Sequence, residues 1–351
     1  MMDIDATTQP LRLGIMGTGI IAEDFCNALS AASHNGKVYT ITAVGARSAD
    51  KAEKLASRFS IPRAHSSFED LCADTEVDVV YVATPDALHA QHCILAMNSG
   101  KHVLCEKPFT QSLLETQEVL ELSRTKKLFC MEAMWTAFVP IVRKALQIVE
   151  AGEIGEINFI AADFGCKFDI PAGALNALGC YNLALTQLVL DAQARAQGLE
   201  TPVKPSRFTA VGSLGTSGVD RHISVSAQYG DRCISNTYAS LLCDSHREAL
   251  VVGTKGRLRL LGPLWHSGTE LILEKEGCES EMITVDEESA YTYAYPFNLL
   301  NSQRLVHQVL EVERCIRSGS LYSDHWTHAQ IEQVQLMMDE CRKQLRAACV
   351  Q

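Results

Sequence analysis

The chain predicts a doubly wound parallel α/β domain followed by an α+β domain, on three observations. Over the first third, short apolar runs alternate with segments of helical spacing. The first of these junctions is a glycine turn, Gly17-Thr18-Gly19, that opens a helix. Further along, strand-like stretches succeed one another, which suggests an antiparallel or mixed sheet.

The elements come in this order. Leu11–Met16 reads as a short apolar strand and Ile20–Ala32 as the helix after the glycine turn. Tyr39–Ala46 is a second strand, and Asp50–Phe59 has Ala52, Leu55, Ala56 and Phe59 on one helical face. Val77–Ala83 (VDVVYVA) is nearly all apolar, as a strand buried on both sheet faces must be. Asp86–Asn98 reads as helix, Val103–Cys105 as strand, Leu113–Ser123 as helix and Leu128–Met131 as strand. A helix at about Val139–Ala151 comes next. The strand-type stretches after it are Ile157–Phe164, Arg207–Val211, Ile223–Gln228, Cys233–Ser240, Ala249–Val252, Arg257–Leu261 and Glu270–Glu274. Two amphipathic helices, about Arg304–Ser318 and Thr327–Ala347, close the chain. The domains are therefore expected at 1–132 and 133–351, with the last helix packing back on the first domain.

Composition excludes several classes. A net charge of −11 without a basic run argues against a nucleic-acid or anionic-membrane surface. No apolar stretch is long enough to span a membrane, and the N-terminal MMDIDATTQP lacks a signal-peptide core. The 13 cysteines are odd in number and contain no C-x-x-C pair, so a dithiol or zinc motif is not expected. Most sit in apolar runs, where a free thiol behaves as a small hydrophobe, and this favours a reducing, cytoplasmic setting. His222, His307, His325 and His328 lack ligand spacing, so no metal is expected, and the last two read as solvated or capping.

Two sites carry chemistry. Gly17-Thr18-Gly19-Ile20-Ile21-Ala22 is a G-x-G-x-x-A pattern after a strand, where bare backbone and a helix N-terminus receive a pyrophosphate. At the end of the second strand, an acidic residue would accept from the 2′-hydroxyl of NAD(H). Here the segment is Ala46-Arg47-Ser48 with Lys51 one turn on, a cradle for a 2′-phosphate. NADP(H) is the expected cofactor, with NAD(H) also possible. Downstream, Glu106-Lys107-Pro108 places an ammonium at the carboxyl edge of a strand, where α/β sheets bind ligands.

The glycine turn, the Ala-Arg-Ser segment, Ala83-Thr84-Pro85 with His89, and Glu106-Lys107-Pro108, in this order, resemble the Gfo/Idh/MocA oxidoreductase family. Met131-Glu132-Ala133-Met134-Trp135-Thr136, Val252-Gly253-Thr254-Lys255-Gly256-Arg257 and Trp265 are similar to segments of its dihydrodiol dehydrogenase and glucose–fructose oxidoreductase branch. The resemblance covers about residues 11 to 348. It implies a Rossmann domain plus an α+β substrate domain, whose large, mostly antiparallel open sheet joins copies into a homodimer or higher homo-oligomer. It implies NADP(H)-dependent interconversion of a hydroxyl and a carbonyl on a sugar, cyclic diol or related polyol. Lys107 would hydrogen-bond the substrate oxygen. Tyr181, in Gly173-Ala174-Leu175-Asn176-Ala177-Leu178-Gly179-Cys180-Tyr181, would relay its proton. A free tyrosine titrates near pH about 10, and an adjacent ammonium lowers that. Thr84, Pro85, His89 and Glu106 would border the cofactor, and Trp135 and Asn176 the substrate; for His89 a structural role and for Trp135 plain core packing remain the other readings.

Two residues depart from the resemblance. The expected aspartate is Ala177, and an arginine expected after Trp135-Thr136 is Ala137. Both changes thin the polar lining. They motivate one rival reading, a non-catalytic NADP(H)-binding sensor or regulator; a third reading is a redox-neutral lyase, epimerase or isomerase that retains its cofactor. Tyr291, Tyr293 and Tyr295 alternate like one face of a strand, as an interface or a pocket wall would.

Overall fold

The computed structural model describes residues 9–32, 39–168, 170–285 and 291–348. It divides into two units, Met1–Ala133 with Glu288–Asp324, and Met134–Glu287 with His325–Gln351.

In the first unit, six strands lie parallel: β1 (Leu11–Met16), β2 (Tyr39–Gly45), β3 (Arg63–His65), β4 (Val79–Val82), β5 (His102–Glu106) and β6 (Cys130–Ala133). Their order is β3-β2-β1-β4-β5-β6. Parallel neighbours need crossovers, supplied by α1 (Ile20–Ala32), α2 (Ala49–Phe59), α3 (Phe68–Ala73), α4 (His89–Asn98) and α5 (Leu113–Lys126). Every residue of β4 is buried, as its unbroken apolar run requires. The start of α5 is written locally: the Ser112 hydroxyl accepts from the Glu115 amide (3.3 Å), and the Glu115 carboxylate accepts from the Gln111 amide (2.8 Å). The sequence pattern does not signal β3 or α3. β3 is three partly exposed residues on a sheet edge, too short to leave a period in the sequence.

The second unit contains α6 (Pro140–Glu150), β7 (Ile157–Gly165), α7 (Cys180–Ala196), β8 (Arg207–Leu214), β9 (Asp220–Tyr229), β10 (Cys233–Ser240), β11 (Ala249–Gly253), β12 (Gly256–Leu260), β13 (Glu270–Lys275) and β14 (Glu281–Thr284). These eight strands form one sheet ordered β14-β13-β12-β11-β7-β10-β9-β8. All neighbours are antiparallel except β7 and β10, which run parallel. The sequence predicts consecutive strands here, yet α7 intervenes. Nearly all 17 of its residues are buried, so it lacks the polar face by which a helix is recognised.

Further differences concern the C-terminal third. The last helix, α9 (His328–Ala348), belongs to the second unit rather than the first. It packs on α7 and β8, where Gln344 accepts from the Ala210 amide (2.7 Å) and Gln330 donates to Asp191 (2.8 Å). The preceding helix, α8 (Val306–Arg317), is the one that joins the first unit, packing on α1. His328 is buried, not solvated. Tyr291, Tyr293 and Tyr295 lie in irregular chain rather than a strand. Tyr295 folds on the end of α2: its hydroxyl donates to the Arg58 carbonyl (3.0 Å), and the Arg58 guanidinium lies 4.5 Å from its ring centre.

One buried side chain gathers four bonds from the returning segment. Asp24 of α1 accepts from the Asn298 amide (2.8 Å), the Asn298 side-chain nitrogen (2.9 Å), the Leu299 amide (2.8 Å) and the Ser302 hydroxyl (2.8 Å). Asp24→Ala should therefore lower stability by about 2–4 kcal/mol, because a charged acceptor is lost and its donors are stranded. Denaturant unfolding measures this; an unchanged midpoint would contradict the anchor.

Candidate active site

The carboxyl ends of β1, β4 and β5 are level, since Met16 pairs with Val82 and Val82 with Cys105. Strand order reverses between β1 and β4, so a crevice opens at this edge, the ordinary ligand position of such sheets. Gly17 has φ +115°, and a Cβ there would lie 2.6 Å from the Ala83 carbonyl oxygen. Gly19 is different. A Cβ on it would meet nothing within 4 Å, leaving bare backbone beside the N-terminus of α1. Thr18 is half-buried, Ile20 is 60% exposed and Ile21 is half-buried. Bare backbone at the open end of a helix is what a dinucleotide pyrophosphate requires, and the residues present fit one.

At the end of β2, Arg47 and Lys51 are exposed. Ser48 is the N-cap of α2, but its side chain makes no bond to the helix amides. Two cations, a hydroxyl and a helix N-terminus thus converge on one solvent-facing turn, which fits a phosphomonoester. His92 of α4 is nearby and was not singled out by the sequence. Its Nδ1 lies 2.8 Å from the Thr84 hydroxyl and its ring meets Phe68 edge-on. Burial, then its charged neighbours, holds its pKa below the usual histidine value.

Lys107 comes directly after β5 and is half-exposed. Its loop is fastened from below. Glu106 is buried and accepts from the Tyr81 hydroxyl (2.6 Å) and the Lys107 amide (3.2 Å). Glu132 of β6, also buried, accepts from the Phe109 amide (2.9 Å). The His89 ring nitrogens lie 2.9 Å from the carbonyl oxygens of Pro108 and Thr84, tying the two loops together. Burial pushes the Glu106 carboxyl above its usual range, although Tyr81 and Lys107 pull the other way. Glu106 and His89, expected beside the cofactor, are thus occupied by the protein's own backbone and hydroxyl groups. Tyr81 and Glu132 complete the set. The signal for Tyr81 was present, since a hydroxyl inside an otherwise apolar strand needs a buried partner.

Tyr181 is the second residue of α7, just after a π-helical turn at Leu175–Gly179. Such turns insert an extra residue and re-aim the side chains after them. The buried Asp220 carboxylate accepts from the Leu175 amide (2.7 Å) and holds the turn's start. Tyr181 is 5% exposed, and its oxygen accepts from the Trp135 indole nitrogen at 2.8 Å. Trp135 sits in a short helical turn, Trp135–Ala137, after β6. The His266 ring lies 4.5 Å from the Tyr181 ring, 4.6 Å from Phe164 and 5.3 Å from Trp135 between centroids. His266 and Phe164 were not anticipated; the sequence marked only the neighbouring Trp265.

Asn176 does not join this cluster. Its side-chain oxygen accepts from Arg342 of α9 at 2.7 Å, one helical position being enough to turn it away. Ala137 is fully buried and Ala177 half-buried. Among the described residues, no three histidine, cysteine or acidic side chains converge as metal ligands would.

Residues 11–134 match the oxidoreductase family with an NAD-binding Rossmann fold, and residues 142–259 match the GFO/IDH/MocA C-terminal domain. The trans-1,2-dihydrobenzene-1,2-diol dehydrogenase of Danio rerio is 30% identical over 344 residues, 95% of this chain and 97% of its own. Its counterpart in Mus musculus is 31% identical over 342 residues, covering 95% and 96%. A 3-ketoreductase from Actinomadura kijaniata, solved with NADP, superposes with TM-score 0.75 at 21% identity over 96% of this chain and 97% of its own. A levoglucosan dehydrogenase solved with NADH and levoglucosan gives 0.79 at 19% identity over 97% and 98%. The chain belongs to the Gfo/Idh/MocA oxidoreductase family.

Proposed function

We propose that the protein is an NADP(H)-dependent oxidoreductase that interconverts a hydroxyl and a carbonyl on a cyclic diol, sugar or related polyol. The observation that carries the cofactor is the turn at the end of β2, where Arg47, Ser48 and Lys51 stand in place of a carboxylate. The substrate class comes from the dihydrodiol dehydrogenases, which match end to end. When bound, the nicotinamide supplies or accepts the hydride. Lys107 donates to the substrate oxygen and offsets the negative charge that develops on it. Tyr181 gives the proton to that oxygen in reduction and takes it in oxidation. Glu106, Glu132 and His89 hold the Lys107 loop so that the ammonium is positioned before substrate arrives.

The protein is a soluble homodimer of the reducing cytoplasm, joined through the second unit's sheet. Val211 and Ile234 are 67% and 46% exposed on one face of that sheet, large apolar side chains that a second copy would cover. Light scattering should give twice the chain mass, and Ile234→Asp should reduce it to the single-chain value. A monomeric parent protein would refute this assembly.

Two kinetic outcomes are expected. Arg47→Ala should weaken NADPH binding by about tenfold or more while leaving NADH within about twofold, since only the former carries the 2′-phosphate. Equal losses would refute the NADP(H) preference. With NADPH and a panel of cyclic ketones and ketoses, Lys107→Ala and Tyr181→Phe should each lower kcat/KM by about 10²-fold or more at unchanged NADPH affinity. Tight NADPH binding without turnover in the parent protein would instead establish the sensor reading, which Ala137 and Ala177 favour.

A further inference from the structure

Trp135 is expected to border the substrate, yet its polar atom faces another side chain. The indole Nε1 lies 2.8 Å from the Tyr181 hydroxyl oxygen, and both residues are buried, 6% and 5% exposed. An indole nitrogen can only donate, so the direction of this bond is settled: the phenolic oxygen accepts. The tyrosine's own O–H therefore points along another line. A donor held against an oxygen binds its anion more strongly than its neutral form, because the bond becomes charge-assisted. Burial strengthens the effect by excluding competing water.

We propose that Trp135 is a positioning residue that acts through Tyr181: its indole N–H fixes the phenolic oxygen and stabilises the phenolate left when Tyr181 gives up its proton. The inference rests on the reading of Tyr181 as proton carrier. In the reductive direction, hydride reaches the carbonyl carbon, the Tyr181 proton reaches the carbonyl oxygen, and the product is the alcohol. The phenolate then stays hydrogen-bonded to the indole until water returns a proton. In oxidation the same phenolate takes the substrate's proton. The Trp135 bond is thus kept in both states, and it shortens the energetic step between them.

Other charged and titratable groups around Tyr181 have distinct places. His266 lies against its ring at an interplanar angle of 40°. Asp163 of β7 turns its carboxylate to the Arg247 amide (2.8 Å), and Asp220 turns to the Leu175 amide. Arg342 is engaged by Asn176 at the start of the helix. The His266 imidazole lies against the tyrosine ring itself, so a charge on it is the competing cause to be separated.

The test reads ionisation rather than turnover, so it stands even if no substrate is found. Phenolate absorbance is followed against pH, and Tyr181 is isolated as the difference between the parent protein and Tyr181→Phe. In Trp135→Phe, against its own Tyr181→Phe double variant, the midpoint should rise by about one pH unit, the size of one lost hydrogen bond to the anion. Where turnover is measurable, kcat should fall by about tenfold, with the pH limb assigned to Tyr181 moving by the same amount and KM nearly constant. An unchanged midpoint overturns the proposal. So does a shift that disappears in the His266→Gln background, which would assign it to the imidazole. Should Trp135→Phe fail to fold, the indole ¹⁵N–¹H resonance of Trp135 in the parent protein gives the answer. It should titrate with Tyr181 and move upfield in Tyr181→Phe; a resonance indifferent to both overturns the proposal.

Discussion

A methyl group cannot be added at Gly17. It would stand 2.6 Å from the Ala83 carbonyl oxygen, in a backbone conformation at φ +115° that side chains rarely adopt. This close approach between the end of β1 and the end of β4 is the constraint on which the first unit is organised. It brings the turn before α1 against the neighbouring strand, with the Ala83 amide donating to the Met16 carbonyl (2.9 Å) and the Gly17 amide to the Gly45 carbonyl (2.9 Å). The three strand ends are thereby locked level. The helix N-terminus, the Arg47 turn and the Lys107 loop all stand on that edge because the strands beneath them are parallel and in register.

Rigidity at the Lys107 loop comes from buried acid groups. Burying a carboxylate is costly unless donors surround it. Glu106 and Glu132 meet that condition with the Tyr81 hydroxyl and the amides of Lys107 and Phe109. Phe25 stacks on Tyr81 at 3.8 Å and closes the environment from α1. The same arrangement explains why Glu106 has a raised pKa: its surroundings are apolar, and hydrogen bonds only partly offset the lost water. A half-exposed lysine on a fixed backbone is the result.

In the second unit the tyrosine sits among rings. Trp135, Phe164 and His266 surround it, and the two positions that depart from the family pattern carry methyl groups. Ala137 and Ala177 carry no polar group, while the Tyr181 oxygen keeps a donor of its own in the Trp135 indole.

Local chemistry made much of the molecule legible from residues alone. The glycine turn, the helix Ile20–Ala32, the apolar β4 run, the cationic turn at Arg47 and the lysine after β5 each depend on neighbours in the chain, and each stands where those neighbours place it. What escaped depended on distant residues. α7 is enclosed on nearly every side, its polar residues Asn182, Thr186, Gln187 and Asp191 included, so no contrast between an apolar and a solvated face revealed it. The sequence expects the last helix on the first domain, whereas buried side chains such as Asp24 and Asp191 decide which unit holds the elements they join. The partners of Tyr181 come from segments 46 and 85 residues away. Sequence alone determined the glycine turn and the place of the lysine, because backbone freedom and charge are local properties. Tertiary structure decided what surrounds the tyrosine, because a hydrogen bond between an indole and a phenol exists only once the two segments are packed together.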